Sequence, residues 1–348
     1  MALALVERLP VDLSEGPDLL SALGKAFPEK QVQKSIKRWV FKRKQKGLPV
    51  GDIFPARETP APGEGPQAEG SAAFLGPIDG LGNRGVFFSL PRVPVDVDVG
   101  LGIVNDQEGI VKFIFGRYSK RGMGEVKDLF FKQAGPMAET SLAHAATVLE
   151  RAYKRQGDGI DESVLAYLQV RPWILKNVTL LDRSPVYGAM DFDPVSGGPL
   201  TGSQIGRLLA HHAMKSWIIA PEKIRPLLDE IRNAAESPIH LSEEQMSNRI
   251  REIKESAVSR IFAGEDRSRV RSRLEEMAYV FLQWGEADYS RPALVVAASL
   301  EEEDSILGVN PFLMALLERN IAFYQEASEQ VDETRVQEGD SPPRIIVP

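Results

Sequence analysis

From Val95 to Ile103, apolar residues alternate with small or charged ones without a break. Val95, Val97, Val99, Leu101 and Ile103 are separated by Asp96, Asp98, Gly100 and Gly102. A strand sends successive side chains to opposite faces, so this period of two predicts a β-strand with one face on a core and one face outward. One strand is not stable alone, and its partners can be read on either side of it. Residues 73–78 and 85–90 read as two earlier strands joined by a turn at 79–83. Residues 110–118 read as a fourth strand after a turn at 105–109. Gaps this short favour an antiparallel meander. Residues 125–131 have the spacing of a helix that covers one face of it.

The flanking sequence is of a different kind. Upstream, residues 18–26 and 28–46 read as helices, and Val32, Ile36, Trp39 and Val40 share one apolar face of the second. Pro28 suits a first helical turn, and Gly47 and Pro49 supply a stop. Downstream of 136 helical periodicity dominates, over 138–155, 162–175, 204–218, 222–235, 243–262, 267–284 and 312–327. Ser242 with Gln245 forms a capping box, Leu241 and Met246 are placed as a hydrophobic staple, and Gly264 closes that helix. Residues 178–181 read as a short strand. Residues 267–300 read as a helical hairpin that resembles one tetratricopeptide-type unit, with no second copy at a fixed period. The expected organisation is α+β in five parts. A basic helical segment spans 1–53, a Pro/Gly-rich linker 54–71, and an antiparallel β domain with a covering helix 72–135. A helical domain spans 136–327 and an acidic, disordered tail 328–348. The tail ends in the apolar Ile345-Ile346-Val347, of a kind that can add to a sheet edge.

Charge separates these parts further. The 348 residues hold 42 basic and 49 acidic side chains, a net charge of −7. Lys25, Lys30, Lys34, Lys37, Arg38, Lys42, Arg43, Lys44 and Lys46 are opposed in their span only by Glu29, a local charge of +8. The rest of the chain therefore carries −15. There is no cysteine, which excludes disulfides, thiolate metal sites, iron–sulfur clusters and thiol nucleophiles. Apolar runs fall short of the roughly 20 residues that span a bilayer. The apolar start is followed at once by Glu7 and Arg8, without a basic leader. The expectation is a soluble cytoplasmic protein.

Motifs for chemistry are sparse. Gly80-Leu81-Gly82-Asn83-Arg84-Gly85 spells a dinucleotide fingerprint, but a strand follows it where the fingerprint requires a helix. Its glycines are expected to serve a turn. Asp96 and Asp98, about 7 Å apart on one strand face, and Asp191 and Asp193 near His211 and His212 are the carboxylate pairs. Adjacent histidines on a helix point about 100° apart and share no metal face. No His-Glu-x-x-His, Gly-x-Ser-x-Gly or Walker A string occurs. Arg267, Arg269, Arg271 and Arg273 lie beside Glu265, Asp266, Glu275 and Glu276 and are expected to pair within their helix.

The basic segment thus carries the functional expectation. A non-enzymatic binding or adaptor protein would contact an anionic partner through Lys30, Lys34, Lys37, Arg38, Lys42, Arg43, Lys44 and Lys46, with Trp39 beside them. RNA or DNA comes first and an acidic protein surface, including the chain's own, second. The end Lys44-Gln45-Lys46-Gly47-Leu48 resembles the close of a winged-helix recognition helix, which implies the same partner class. The helical region would offer a protein-interaction surface. Neither cofactor, metal nor membrane is expected, and oligomeric state is left open. The rival expectation is an enzyme with a pocket between the β domain and the helices, built from Asp96, Asp98, Asp191 or His211.

Overall fold

The alternating run does form a strand, and the sheet around it organises most of the chain. The structure is a computed structural model that describes residues 9–10, 17, 20, 30–46, 70–92, 96–157, 159–192, 198–236, 242–301 and 309–339. It divides into two compact units, Met1–Ala61 and Pro62–Pro348. In the first, α1 (Lys30–Gln45) buries Ile36 and Trp39, and the Trp39 indole donates to the Leu9 carbonyl at 3.0 Å. The helix expected over 18–26 lies outside the described residues except for Leu20, which is helical and buried. Residues 54–69 of the expected linker also lie outside them.

The second unit holds β1 (Ala72–Leu75), β2 (Asn83–Pro91), β3 (Asp96–Asn105), β4 (Gly109–Ser119) and β5 (Ala138–Thr140) in the order β4-β3-β2-β1-β5. Every pairing is antiparallel. Helix α2 (Lys120–Ala134) places Met123, Phe130 and Phe131 over Phe87, Val97 and Val99 on one face. Helices α3 (Leu142–Arg155) and α4 (Glu162–Asn177) cover the other, where Leu149, Tyr167 and Val170 meet Phe88, Leu90 and Phe113. The sheet is thus covered on both sides, and β3 has no outward face at Asp98. Asp98 is fully buried between Arg92 Nε at 2.5 Å and Arg117 Nε at 3.2 Å, whereas Asp96 at the strand end is exposed. Gly100 of β3 serves the same packing. A Cβ on Gly100 would fall on the rings of Phe88 and Phe113.

The remaining elements are α5 (Val186–Ala189), α6 (Gly202–Ala210), a 3₁₀ turn (His212–Met214), α7 (Pro221–Ala235), α8 (Glu243–Ile261), α9 (Glu265–Gln283), α10 (Ala287–Ser299) and α11 (Pro311–Gly339). They enclose a second core around Trp217, Met277, Phe281, Leu294 and Leu313. The capping box opens α8 as expected: Gln245 N donates to Ser242 Oγ at 3.2 Å, and Ser242 N to Gln245 Oε1 at 2.9 Å. Gly264, at φ +52°, makes the turn into α9.

Four expectations are corrected. Residues 138–140 are a strand paired to β1, not the start of a helix. Residues 178–181 form no strand; the Leu181 N–H and carbonyl are taken by Thr147 Oγ1 at 2.8 Å and Arg151 Nη2 at 3.1 Å, so α3 satisfies that backbone instead of a ladder. The helix expected over 204–218 stops at Ala210, because His211 turns to ψ 140° and its Nδ1 accepts from Ala213 N. Arg319 and Asn320 then satisfy the Leu209 and Trp217 carbonyls and the Ile219 N–H that the break exposes. The last helix continues past 327 to Gly339, and residues 340–348 lie outside the described residues. No helix among the described residues is long and apolar enough to cross a membrane.

The packing over Gly100 generates a test. Gly100→Val should cost about 1–3 kcal/mol by overpacking, read as a lower urea midpoint at unchanged slope. An unchanged midpoint would mean that the Phe88 ring can move aside at no cost.

Candidate functional site

Helix α1 begins with no acidic residue in its first turn, and its polar face is cationic. Lys34, Arg38, Lys42 and Lys46 recur every four residues and form a row along the helix, with Lys37 beside it. Successive members rise about 6 Å along the axis, so the row is about 18 Å long. All five are exposed, and none has an ion pair among the described residues. Two other expected members are not on this surface. Trp39 is buried with its N–H committed to Leu9, so it has no free ring face to stack on a base. Arg43 is 4% exposed and lies over the Trp39 ring at 5.2 Å. It therefore serves packing by a cation–π contact. The side chains of Lys30 and Lys44 lie outside the described residues.

The residues of the enzyme alternative do not come together by any hydrogen bond or ion pair. Asp98 is neutralised by its two arginines, and Asp96 and Asp191 are exposed. His211 is buried among Phe281, Trp284 and Tyr289, with Nε2 3.1 Å from Glu286 Oε2. Burial lowers its pKa, the Glu286 carboxylate opposes that shift, and the neighbouring His212 adds to it. Among the described residues no group of three or more histidines and carboxylates could hold a metal ion. The glycine string is a turn whose parts are all structural. Asp79 Oδ1 accepts from Leu81 N and Asn83 N at 2.9 and 2.8 Å, Gly82 takes φ +93°, and Gly80 donates to the Ser216 carbonyl at 3.0 Å. A Cβ on Gly80 would collide with the Trp217–Ile218 backbone. Close approach of two backbones explains this glycine.

The polar groups that do converge sit under that turn. Glu276 of α9 accepts from Arg84 Nη1 at 2.5 Å and from His144 Nε2 at 2.9 Å on the same Oε2. The other ring nitrogen of His144 lies 2.9 Å from Thr140 Oγ1, which is 3.0 Å from the Tyr279 hydroxyl. Arg84 also donates to the Gly76 carbonyl from Nε and Nη2 at 3.2 and 3.0 Å. One helical turn earlier, Arg273 grips Asp106 with two hydrogen bonds at 2.6 and 2.7 Å and donates to the Gly80 carbonyl. Glu150 repeats the pattern between α3 and α4, accepting from Nε and Nη2 of Arg171 and from the Tyr167 hydroxyl. These groups satisfy one another, and their chemistry is that of a fastening.

Burial pushes the Glu276 carboxyl up, but the Arg84 charge and the His144 hydrogen bond outweigh it and hold the group well below the usual carboxylate range. A carboxylate with a lowered folded pKa binds fewer protons folded than unfolded. Its contribution is complete above the unfolded value near 4.5 and is lost as pH falls below that towards the folded value. Glu276→Gln should therefore cost about 3–5 kcal/mol at pH 7, the usual penalty for unpairing a buried charge. The gap to wild type should narrow below about pH 4. Urea unfolding across pH 3–7 reads both; a gap that stays constant with pH would contradict the assignment.

No known protein family matches the sequence, and no curated protein or solved structure matches it.

Proposed function

We propose that this is a binding or adaptor protein whose helix α1 contacts an anionic partner, with RNA or DNA as the favoured class. The observation that carries the reading is the row Lys34, Arg38, Lys42, Lys46 with Lys37: five exposed cations without ion pairs among the described residues. A phosphate backbone gains from such a row by releasing condensed counterions. The buried Trp39 takes aromatic stacking out of the reading and leaves backbone contact, so binding should be weakly sequence-dependent. The −15 carried by the rest of the chain repels polyanions and confines contact to this helix. The helical region is the protein-facing part of the same reading, supported by the exposed Leu165 and Leu175 on α4.

The test is fluorescence anisotropy with single-stranded RNA and duplex DNA across a salt series. Four or five phosphate contacts predict a log–log salt slope of about −3 to −4.5. The Lys34→Gln/Arg38→Gln/Lys42→Gln/Lys46→Gln variant should lose most of that slope and affinity. Equal binding by both proteins, or none by either, overturns the nucleic-acid reading. Salt-sensitive binding to poly-glutamate alone would redirect it to an acidic protein partner.

A further inference from the structure

The second unit contains a cleft of about 570 Å³ between α9, the β2 and β3 ends, α3 and the loop after α4. Seven guanidiniums and five carboxylates line it. Four of the arginines are spent on carboxylates. Arg84 pairs with Glu276 and Arg273 with Asp106; Arg269 pairs with Glu265 and Asp266, and Arg271 with Glu275 and Glu301.

The other three have no carboxylate partner among the described residues. Arg151 and Arg155 stand one turn apart on α3 and so share a face. Arg151 uses only Nη2, on the Leu181 and Asp182 carbonyls at 3.1 and 2.8 Å. Those bonds draw the 181–184 loop to α3 and bring Arg183 to the same wall, where its guanidinium lies over the Tyr187 ring at 5.5 Å. Asp182 is the one lining carboxylate without an ion pair among the described residues, so this wall keeps a surplus of two positive charges. Ser184 adds an independent sign. It lines the cleft, is 5% exposed, and its Oγ has no hydrogen-bond partner among the described residues. Buried hydroxyls are ordinarily satisfied, and one that is not marks a place where a partner is missing.

We propose that this cleft binds a small phosphorylated ligand. Arg155 and Arg183 supply charge-assisted hydrogen bonds to its phosphate oxygens, Arg151 offers its free nitrogens from the same wall, and Ser184 supplies a neutral donor. Three planar forks suit a dianion with several oxygens better than a single carboxylate. The volume lies within the range of small-molecule sites. Its lining residues all belong to the second unit, and the proposal stands whether or not α1 binds nucleic acid.

The experiment is isothermal titration calorimetry of the full chain with two probes, inorganic pyrophosphate and AMP. Two variants accompany wild type: Arg155→Gln/Arg183→Gln, and the four-residue glutamine variant of α1. Both altered cleft residues are exposed, so the variant should keep the wild-type melting temperature. Saturable binding of either probe is expected, weakened at least tenfold by the cleft variant and unchanged by the α1 variant. Tighter binding of AMP would identify a phosphate ester as the ligand, and tighter binding of pyrophosphate an inorganic or terminal diphosphate group. Absence of saturation with both probes, equal affinity in the cleft variant, or loss in the α1 variant would overturn the proposal.

Discussion

One oxygen atom, Glu276 Oε2, joins the sheet to the helical core. It receives Arg84 from β2 and His144 from α3 while sitting on α9, the helix at the centre of the second core. Hydrophobic burial is non-directional and would allow α9 to slide or rotate over the strand ends. A charge taken out of water is less tolerant, since any shift that breaks its pairing leaves an uncompensated ion. Arg273 on Asp106, one turn earlier on the same helix, sets the second point of contact. Two points fix both the rotation and the translation of α9. The positions of α5 and α10, which pack on α9, follow from it.

The glycine turn 79–82, which opens into β2, takes its meaning from this arrangement. It brings the Gly80 carbonyl to Arg273, seats Gly80 on the 216–218 backbone, and leads directly into Arg84. The Trp217 indole donates to the Ile78 carbonyl at 2.9 Å beside it. A string that spells a nucleotide fingerprint is instead the joint between a strand pair and a helical layer. The arginine cleft lies alongside: among the guanidiniums that line it, Arg84 and Arg273 are held by Glu276 and Asp106, while Arg151, Arg155 and Arg183 have no carboxylate partner among the described residues.

The sequence reveals what is local and conceals what is not. The four longer strands, α2, the α8 capping box and the hairpin of α9 and α10 were legible, since each is fixed by residues within a few positions of one another. β5 was not, because three residues carry no period and its pairing to β1 is set from a distance. Asp98 was misread for a related reason. Alternation shows that a strand has two unlike faces, but not that both are covered, and Arg92 and Arg117 make a buried aspartate tolerable. Arg269 and Arg271 pair along their own helix as their spacing suggests, whereas Arg273 reaches a residue 167 positions away. His144 and Glu276 are 132 positions apart, and nothing in either neighbourhood announces the other. On α1 the cationic row was visible in full, but the sequence could not separate exposed Arg38 from buried Arg43.

The central claim is that sheet and helices of the second unit form one cooperative body fastened at Glu276. Native-state hydrogen exchange on the amides of β2 and of α9 measures this directly. If the fastening holds, the slowest amides of both elements open with the same free energy and respond together to low denaturant, as one foldon does. If α9 opens at a clearly lower free energy than β2, the two cores are independent and Glu276 joins nothing that needs joining.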